Sequence, residues 1–125
     1  MHSKELKEMI YGILNTTGYK IYLNYAKQSD TMPYIIYKMP DITQIQQNKD
    51  EITLEINIWN TRGSTPTTET IFDTLDLLLN HKTHKKLDKV FAHSYRIHII
   101  DDLPTEDENI KHCEIRYLFK NYSIH

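Results

Sequence analysis

The side chains able to do chemistry in this chain are seven histidines, one cysteine, a lysine run and a cluster of carboxylates. His81 and His84 stand three apart, a spacing that puts two imidazoles on one helix face. A zinc site needs further ligands, and no His-Glu-x-x-His supplies them. Lys82, Lys85 and Lys86 surround the pair and repel a cation. The segment therefore reads as the cationic end of a helix, complementing its dipole. His93 and His98 differ in parity along an extended segment, so they fall on opposite faces and cannot share an ion. His112 and Cys113, adjacent in a strand, also point to opposite sides.

Asp101, Asp102, Glu106, Asp107 and Glu108 gather at a strand end. Carboxylates so placed hold magnesium in two-metal nucleases, with Glu114 the nearest further candidate. Such sites draw a lysine and more carboxylates from other strands, and no spacing here identifies them. The cluster also lacks the glycine of a calcium loop. It reads as a solvated hairpin loop, or as a charged loop that meets a partner or lines a shared channel. No Gly-x-Ser-x-Gly elbow is present, and Cys113 sits mid-strand among apolar neighbours, where a thiol packs rather than reacts. With three glycines in all there is no phosphate-cradling loop. Lys82, Lys85, Lys86 and Lys89 lack the interleaved aromatics of a single-strand nucleic-acid binder. The residues point away from an enzyme and imply no metal or cofactor.

The totals agree. A net charge of −2 gives no global attraction to nucleic acid or anionic membrane. One cysteine excludes an internal disulfide framework. No apolar run approaches the roughly 20 residues that cross a bilayer, and the charged start Met1-His2-Ser3-Lys4-Glu5 lacks a secretion core. The expectation is a cytoplasmic protein without a membrane partner. At 125 residues the chain reads as one α+β domain spanning 1–125.

The elements that must position these groups follow from hydrophobic period. Leu6, Met9, Ile10, Ile13 and Leu14 recur at helical spacing, and Gly18 is placed to stop that helix. Tyr19 to Tyr25 alternates as a short strand. Tyr34 to Met39 is dense in β-formers, and Pro40 limits it to an edge, a bulge or an ending. Ile42 to Gln46 is a weaker extended piece leading to a turn at Gln47-Asn48-Lys49-Asp50. Ile52 to Trp59 then alternates strictly, runs through a small-residue loop from Asn60 to Pro66, and gives way to a 3.6-residue period from Ile71 to Leu79. Val90 to Ile100 is extended, with Tyr95, Ile97 and Ile99 expected on one side. In the last strand Cys113, Ile115, Tyr117 and Phe119 face one way and His112, Glu114, Arg116 and Lys120 the other. The order α-β-β-β-α-β-β predicts a mainly antiparallel sheet with two helices packed on one face. Trp59 falls on the polar side of its strand, as Tyr22 does on its own, so each is covered either by a neighbouring loop or by another subunit.

Taken together, the N-terminal helix, Met32-Pro33-Tyr34-Ile35-Ile36-Tyr37, the strand ending Ile56-Asn57-Ile58-Trp59, the Asn60–Thr65 loop, the amphipathic helix to Asn80 and two closing strands form a familiar layout. It resembles the tail-terminator family of long-tailed bacteriophages, also called tail-completion or head-to-tail joining proteins. The Lys, Ile and Asn richness is similar to that of proteins from AT-rich phages and prophages. The resemblance implies a structural role in virion assembly: a hexameric ring caps the finished tail tube, stops its polymerisation and docks to the head-completion connector. DNA passes through the lumen without specific binding. It implies assembly in the bacterial host cytoplasm and residence at the tail–head junction. Gln44, Gln46 and Lys49 in the projecting hairpin, with Trp59, Thr61 and Arg62, are the expected oligomer or tube contacts. Asp101, Asp102, Glu106, Asp107 and Glu108 are the expected acidic lining of the lumen. The rivals are another neck or connector-completion protein, a small metal-dependent nuclease using Asp101, Asp102 and Glu114, and a host regulatory module that dimerises through a sheet edge.

Overall fold

A computed structural model describes residues 3–26, 31–46, 49–86 and 90–122. The chain is a mixed α+β fold dominated by strands. Helix α1 (Ser3–Asn15) precedes β1 (Ile21–Leu23), β2 (Tyr34–Gln46) and β3 (Lys49–Thr61). A 3-10 turn (Arg62–Ser64) leads into α2 (Thr65–Leu79), then β4 (Lys82–Lys86), β5 (Val90–Leu103) and β6 (Ile110–Tyr122). The six strands form one sheet in the order β1-β2-β3-β6-β5-β4. Every neighbouring pair is antiparallel except β1 and β2.

The expected order α-β-β-β-α-β-β lacked one strand. The lysine-rich stretch after α2 is not a helix end but β4, paired with β5 from Lys82 opposite Ser94 to Lys86 opposite Val90. The helix stops because Asn80 is extended and His81 enters the left-handed region at φ 54°, turning the chain back onto the sheet. An edge strand tolerates lysines that a central strand would not.

Alternate residues build the core. Ile52, Leu54, Ile56 and Ile58 of β3 and Cys113, Ile115, Tyr117 and Phe119 of β6 are buried in one cluster with Leu6, Ile10 and Leu14 of α1 and Ile71, Leu75 and Leu79 of α2. The helical triplets recur every four residues, the spacing of one helix face. Helix α1 ends at Asn15. Thr16 and Thr17 donate their hydroxyls to the Ile13 and Leu14 carbonyls at 2.6 and 2.7 Å, and Gly18 takes φ +81°.

Register shifts fall at Lys38/Asp41 and Gln44/Gln46 in β2 and at Arg96/His98 and Ile100/Leu103 in β5, and two of them bear on the expected alternation. One, between Lys38 and Asp41, contains Pro40 and lets β2 continue past it, because proline has no N–H to give the ladder. The other, between Arg96 and His98, reverses the parity of β5. His93 pairs with Lys120 and His98 with Arg116, so both lie on the same face, against expectation. Tyr95 pairs with Leu118 while Ile99 pairs with Ile115, so Tyr95 and Ile99 are on opposite faces, also against expectation. Among the described residues no helix is long and apolar enough to cross a membrane.

Ile56 is fully buried at the centre of the cluster, whereas Leu77 of α2 is exposed. Ile56→Ala should lower the unfolding free energy by about 2–5 kcal/mol, and Leu77→Ala should change it by no more than about 0.5 kcal/mol, both read from urea unfolding.

Candidate functional site

Of the residues singled out from the sequence, Trp59, Thr61, Arg62 and Asp102 come together where β3 enters α2, and Gln44, Gln46 and Lys49 do not. Asn60 is buried; its amide nitrogen donates to Ser64 O at 3.3 Å and Thr68 Oγ1 at 3.1 Å, and its oxygen accepts Thr61 N–H at 2.8 Å. A side chain that stands in for backbone in this way lets a strand turn sharply into a helix without stranding polar groups. Thr61 adds a hydroxyl contact to Ser64 at 2.9 Å.

Arg62 crosses from this turn to the acidic loop. Its Nη1 and Nη2 reach the two Asp102 oxygens at 2.9 and 3.3 Å, Nε donates to Glu108 O at 2.9 Å, and Nη2 also reaches Ile110 O at 3.3 Å. Its backbone N–H donates to Asn109 O at 2.7 Å. Only the planar guanidinium fork satisfies two carboxylate oxygens and two carbonyls from one side chain. The hydrogen bond from Arg62 holds the Asp102 carboxyl below its ordinary range. Arg62, expected to project as a contact, and Asp102, expected to line a lumen, are therefore partners that close the 103–109 loop against the start of α2. Asp101 lies 3.7 Å from Lys111 Nζ, and Asp107 accepts Asn109 N–H at 2.9 Å. Glu106, Asp107 and Glu108 are exposed.

Trp59 is half-buried. Its ring stacks on His112 at 3.8 Å and 16°, and it lines a hollow with Pro104, Thr105, Glu106 and Asp107. The chain's own loop thus flanks the tryptophan. From His112 a polar row crosses this sheet face. His112 Nε2 meets Asn57 Oδ1 at 2.7 Å, Asn57 donates to Glu55 at 3.0 Å, and Glu55 accepts from Arg116 at 3.1 Å. Arg116 Nε lies 3.3 Å from Glu114 as an ion pair. An amide oxygen only accepts, so His112 carries its proton on Nε2. Burial pushes the His112 pKa down, against the opposing pull of Glu114 and Glu55. Tyr22 and Tyr34 meet edge to face at 6.1 Å.

Glu114 is committed to Arg116 and Asp102 to Arg62, so the suggested nuclease triad is not gathered. Among the described residues no three His, Cys, Asp or Glu side chains cluster to hold a metal. Cys113 is buried and donates its thiol to Asp101 O at 2.8 Å; burial raises its pKa, which disfavours the reactive thiolate. His84 turns inward from β4 to stack on Phe119, and its Nε2 meets Ser94 Oγ at 2.8 Å while Ser94 donates to Leu79 O at 2.7 Å. Gln44, Gln46 and Lys49 lie on the backbone ladder of β2 and β3, and the turn expected at Gln47-Asn48-Lys49-Asp50 falls partly outside the described residues, with Lys49 and Asp50 already in β3.

The sequence reading missed the network under α2. Tyr117 Oη donates to Asp76 at 3.0 Å, Arg96 Nη1 reaches the same oxygen at 3.1 Å, and Arg96 N–H donates to Asn80 at 2.9 Å. The available signal was Asp76, a charge on a helix whose apolar neighbours Leu75 and Leu79 face the core.

Arg62→Ala keeps the main-chain bond to Asn109 but removes the carboxylate fork. Amide exchange at Asn109 and Ile110 should accelerate, while the urea midpoint moves little. His84 and His112 both have folded-state pKa values pushed down by burial. Their contribution is complete above the ordinary histidine value of about 6.5 and is lost as pH falls toward their lower folded values, because the unfolded chain then binds more protons. The urea midpoint should therefore fall between about pH 7 and about pH 5, and His112→Gln should flatten that slope. No protein-family model and no curated protein matches this chain.

Proposed function

We propose that this chain is a structural protein of tailed-phage assembly, a tail terminator that closes as a hexameric ring on a finished tail tube. In that role it stops tube polymerisation and presents the surface that joins the tail to the head connector. The observation that carries the reading is the centre of the chain: a strand ending at Trp59, a small-residue turn and an amphipathic helix, set between an N-terminal helix and closing strands. In this reading both helices cover one sheet face. The opposite face, bearing Tyr22, Tyr34, Trp59, Tyr95 and Leu118, is available to neighbouring subunits. Ring closure requires heterologous contacts, in which two different surfaces of the same chain meet.

The exposed acids are assigned more narrowly than the sequence suggested. Asp102 belongs to the loop's own closure and Asp101 faces Lys111, so Glu106, Asp107 and Glu108 are the charges assigned to face a lumen, where they would repel DNA and let it slide. Self-association, tail-tube protein and a connector protein are the partners this role requires.

Mass measurement in solution, with and without tail-tube protein, tests the role. The expected result is rings on the ends of tubes of defined length. A chain that stays monomeric and forms no ring in the presence of tubes overturns the reading; a monomer in isolation does not, because the tube can template the ring.

A further inference from the structure

Both edges of the sheet are stepped, and the steps match. At one edge β1 covers only the start of β2, with Ile21, Tyr22 and Leu23 opposite Ile35, Ile36 and Tyr37. Past Tyr37, no strand among the described residues lies on that side of β2. At the other edge β4 covers only the start of β5, from Val90 to Ser94. Beyond Arg96, whose N–H is taken by Asn80, the outer side of β5 carries no strand among the described residues.

Following the register across the sheet shows that the two steps stand at complementary heights. One row runs Leu23, Tyr37, Ile56, Ile115, Ile99 from edge to edge. Another runs from Ile42 through Ile52, Phe119 and Ser94 to Lys82. The protruding β1 is therefore level with the bare stretch of β5, and the protruding β4 is level with the bare stretch of β2. A second copy placed beside the first in the same orientation would bring its β1 into the gap on β5, antiparallel, and receive β4 in the gap on β2. The ends of the first row match in chemistry too. Leu23 is 50% exposed at one edge and Ile99 45% at the other, with Ile97 at 47% next to it. Ile99 also borders a cavity of about 240 Å³ with Phe72 and Cys113, open to an apolar side chain. Exposed apolar residues beside unpaired backbone are costly unless something covers them.

We propose that the β1 edge of one copy pairs with the bare Ile97–Asp102 stretch of β5 in the next, making a head-to-tail interface that extends one sheet into its neighbour. This deepens the ring reading above and rests on it for closure. A two-fold arrangement would instead set the lysine-rich β4 against the exposed isoleucines, and both apolar ends of the Leu23–Ile99 row would remain uncovered or mismatched.

Cysteine cross-linking decides it. In a Cys113→Ser background, populations carrying Leu23→Cys or Ile99→Cys are treated with a short bismaleimide, separately and mixed, at the concentration where sedimentation velocity shows assembly, or on tail tubes if assembly occurs only there. Cross-links should form in the mixture and not in either population alone. The double variant should give a ladder beyond dimers, and Tyr11→Cys with Ile99→Cys, a pair of exposed but unrelated positions, should give none. Self-linking of a single variant, or an assembled protein with no Leu23–Ile99 link, overturns the interface and leaves the ring standing. A chain that assembles neither alone nor on tubes overturns both.

Discussion

Everything in this fold depends on the ladder between β3 and β6. The two strands pair from Lys49 opposite Tyr122 to Thr61 opposite Ile110 with no register shift. They are central in the sheet, and their inward residues supply eight of the seventeen apolar side chains buried in the core cluster among the described residues, Ile52, Leu54, Ile56, Ile58, Cys113, Ile115, Tyr117 and Phe119. An error of one residue in this pairing would turn every one of those side chains to the opposite face. The flanking strands tolerate shifts because this pair does not: β2 absorbs Pro40 and β5 absorbs the shift at Ile97 while both remain aligned to the centre.

Helix α2 is attached to that centre by polar groups at both ends as well as by apolar packing. Near its start Asn60 holds Thr68 and Ser64. Near its end Tyr117 and Arg96 hold Asp76, and Ser94 holds the Leu79 carbonyl. Each of these groups is desolvated to some degree, and each finds a partner, which is the condition under which buried polarity specifies a geometry instead of weakening it. Burial and the Asp76 carboxylate push the Tyr117 phenol well above its ordinary range, which keeps it a proton donor to Asp76 at neutral pH. The arrangement fixes where α2 lies along β3, and with it the position of Arg62 and the closure of the acidic loop.

The two sheet faces have unlike characters. The inner face carries the alternating apolar residues of β3 and β6, which are buried in one cluster with apolar residues of α1 and α2. The outer face carries the Trp59–His112 stack and a chain of hydrogen bonds through Asn57, Glu55 and Arg116. Asn57 is buried within this row, and Trp59 is flanked by the 104–107 stretch. A surface of that kind is ordered before any partner arrives, so a contact made there loses little side-chain freedom.

The period of the hydrophobic residues was enough to place α1, β3, α2 and β6, to set the α+β class and to put Cys113 inside, because burial on one face imposes the alternation directly. It could not reveal β4, whose Lys-Thr-His-Lys-Lys sequence has no apolar side: an edge strand is defined by the neighbour it pairs with, and here that neighbour was β5. Nor could it place His93 and His98 on one face or separate Tyr95 from Ile99, because a single register shift in β5 inverts parity without leaving a local mark. Arg62 and Asp102 were both singled out, yet their partnership was invisible across forty residues of intervening chain. Spacing along a chain encodes which side of an element a residue occupies; which elements meet, and which charges are consumed by the fold itself, was decided only when the strands were laid side by side.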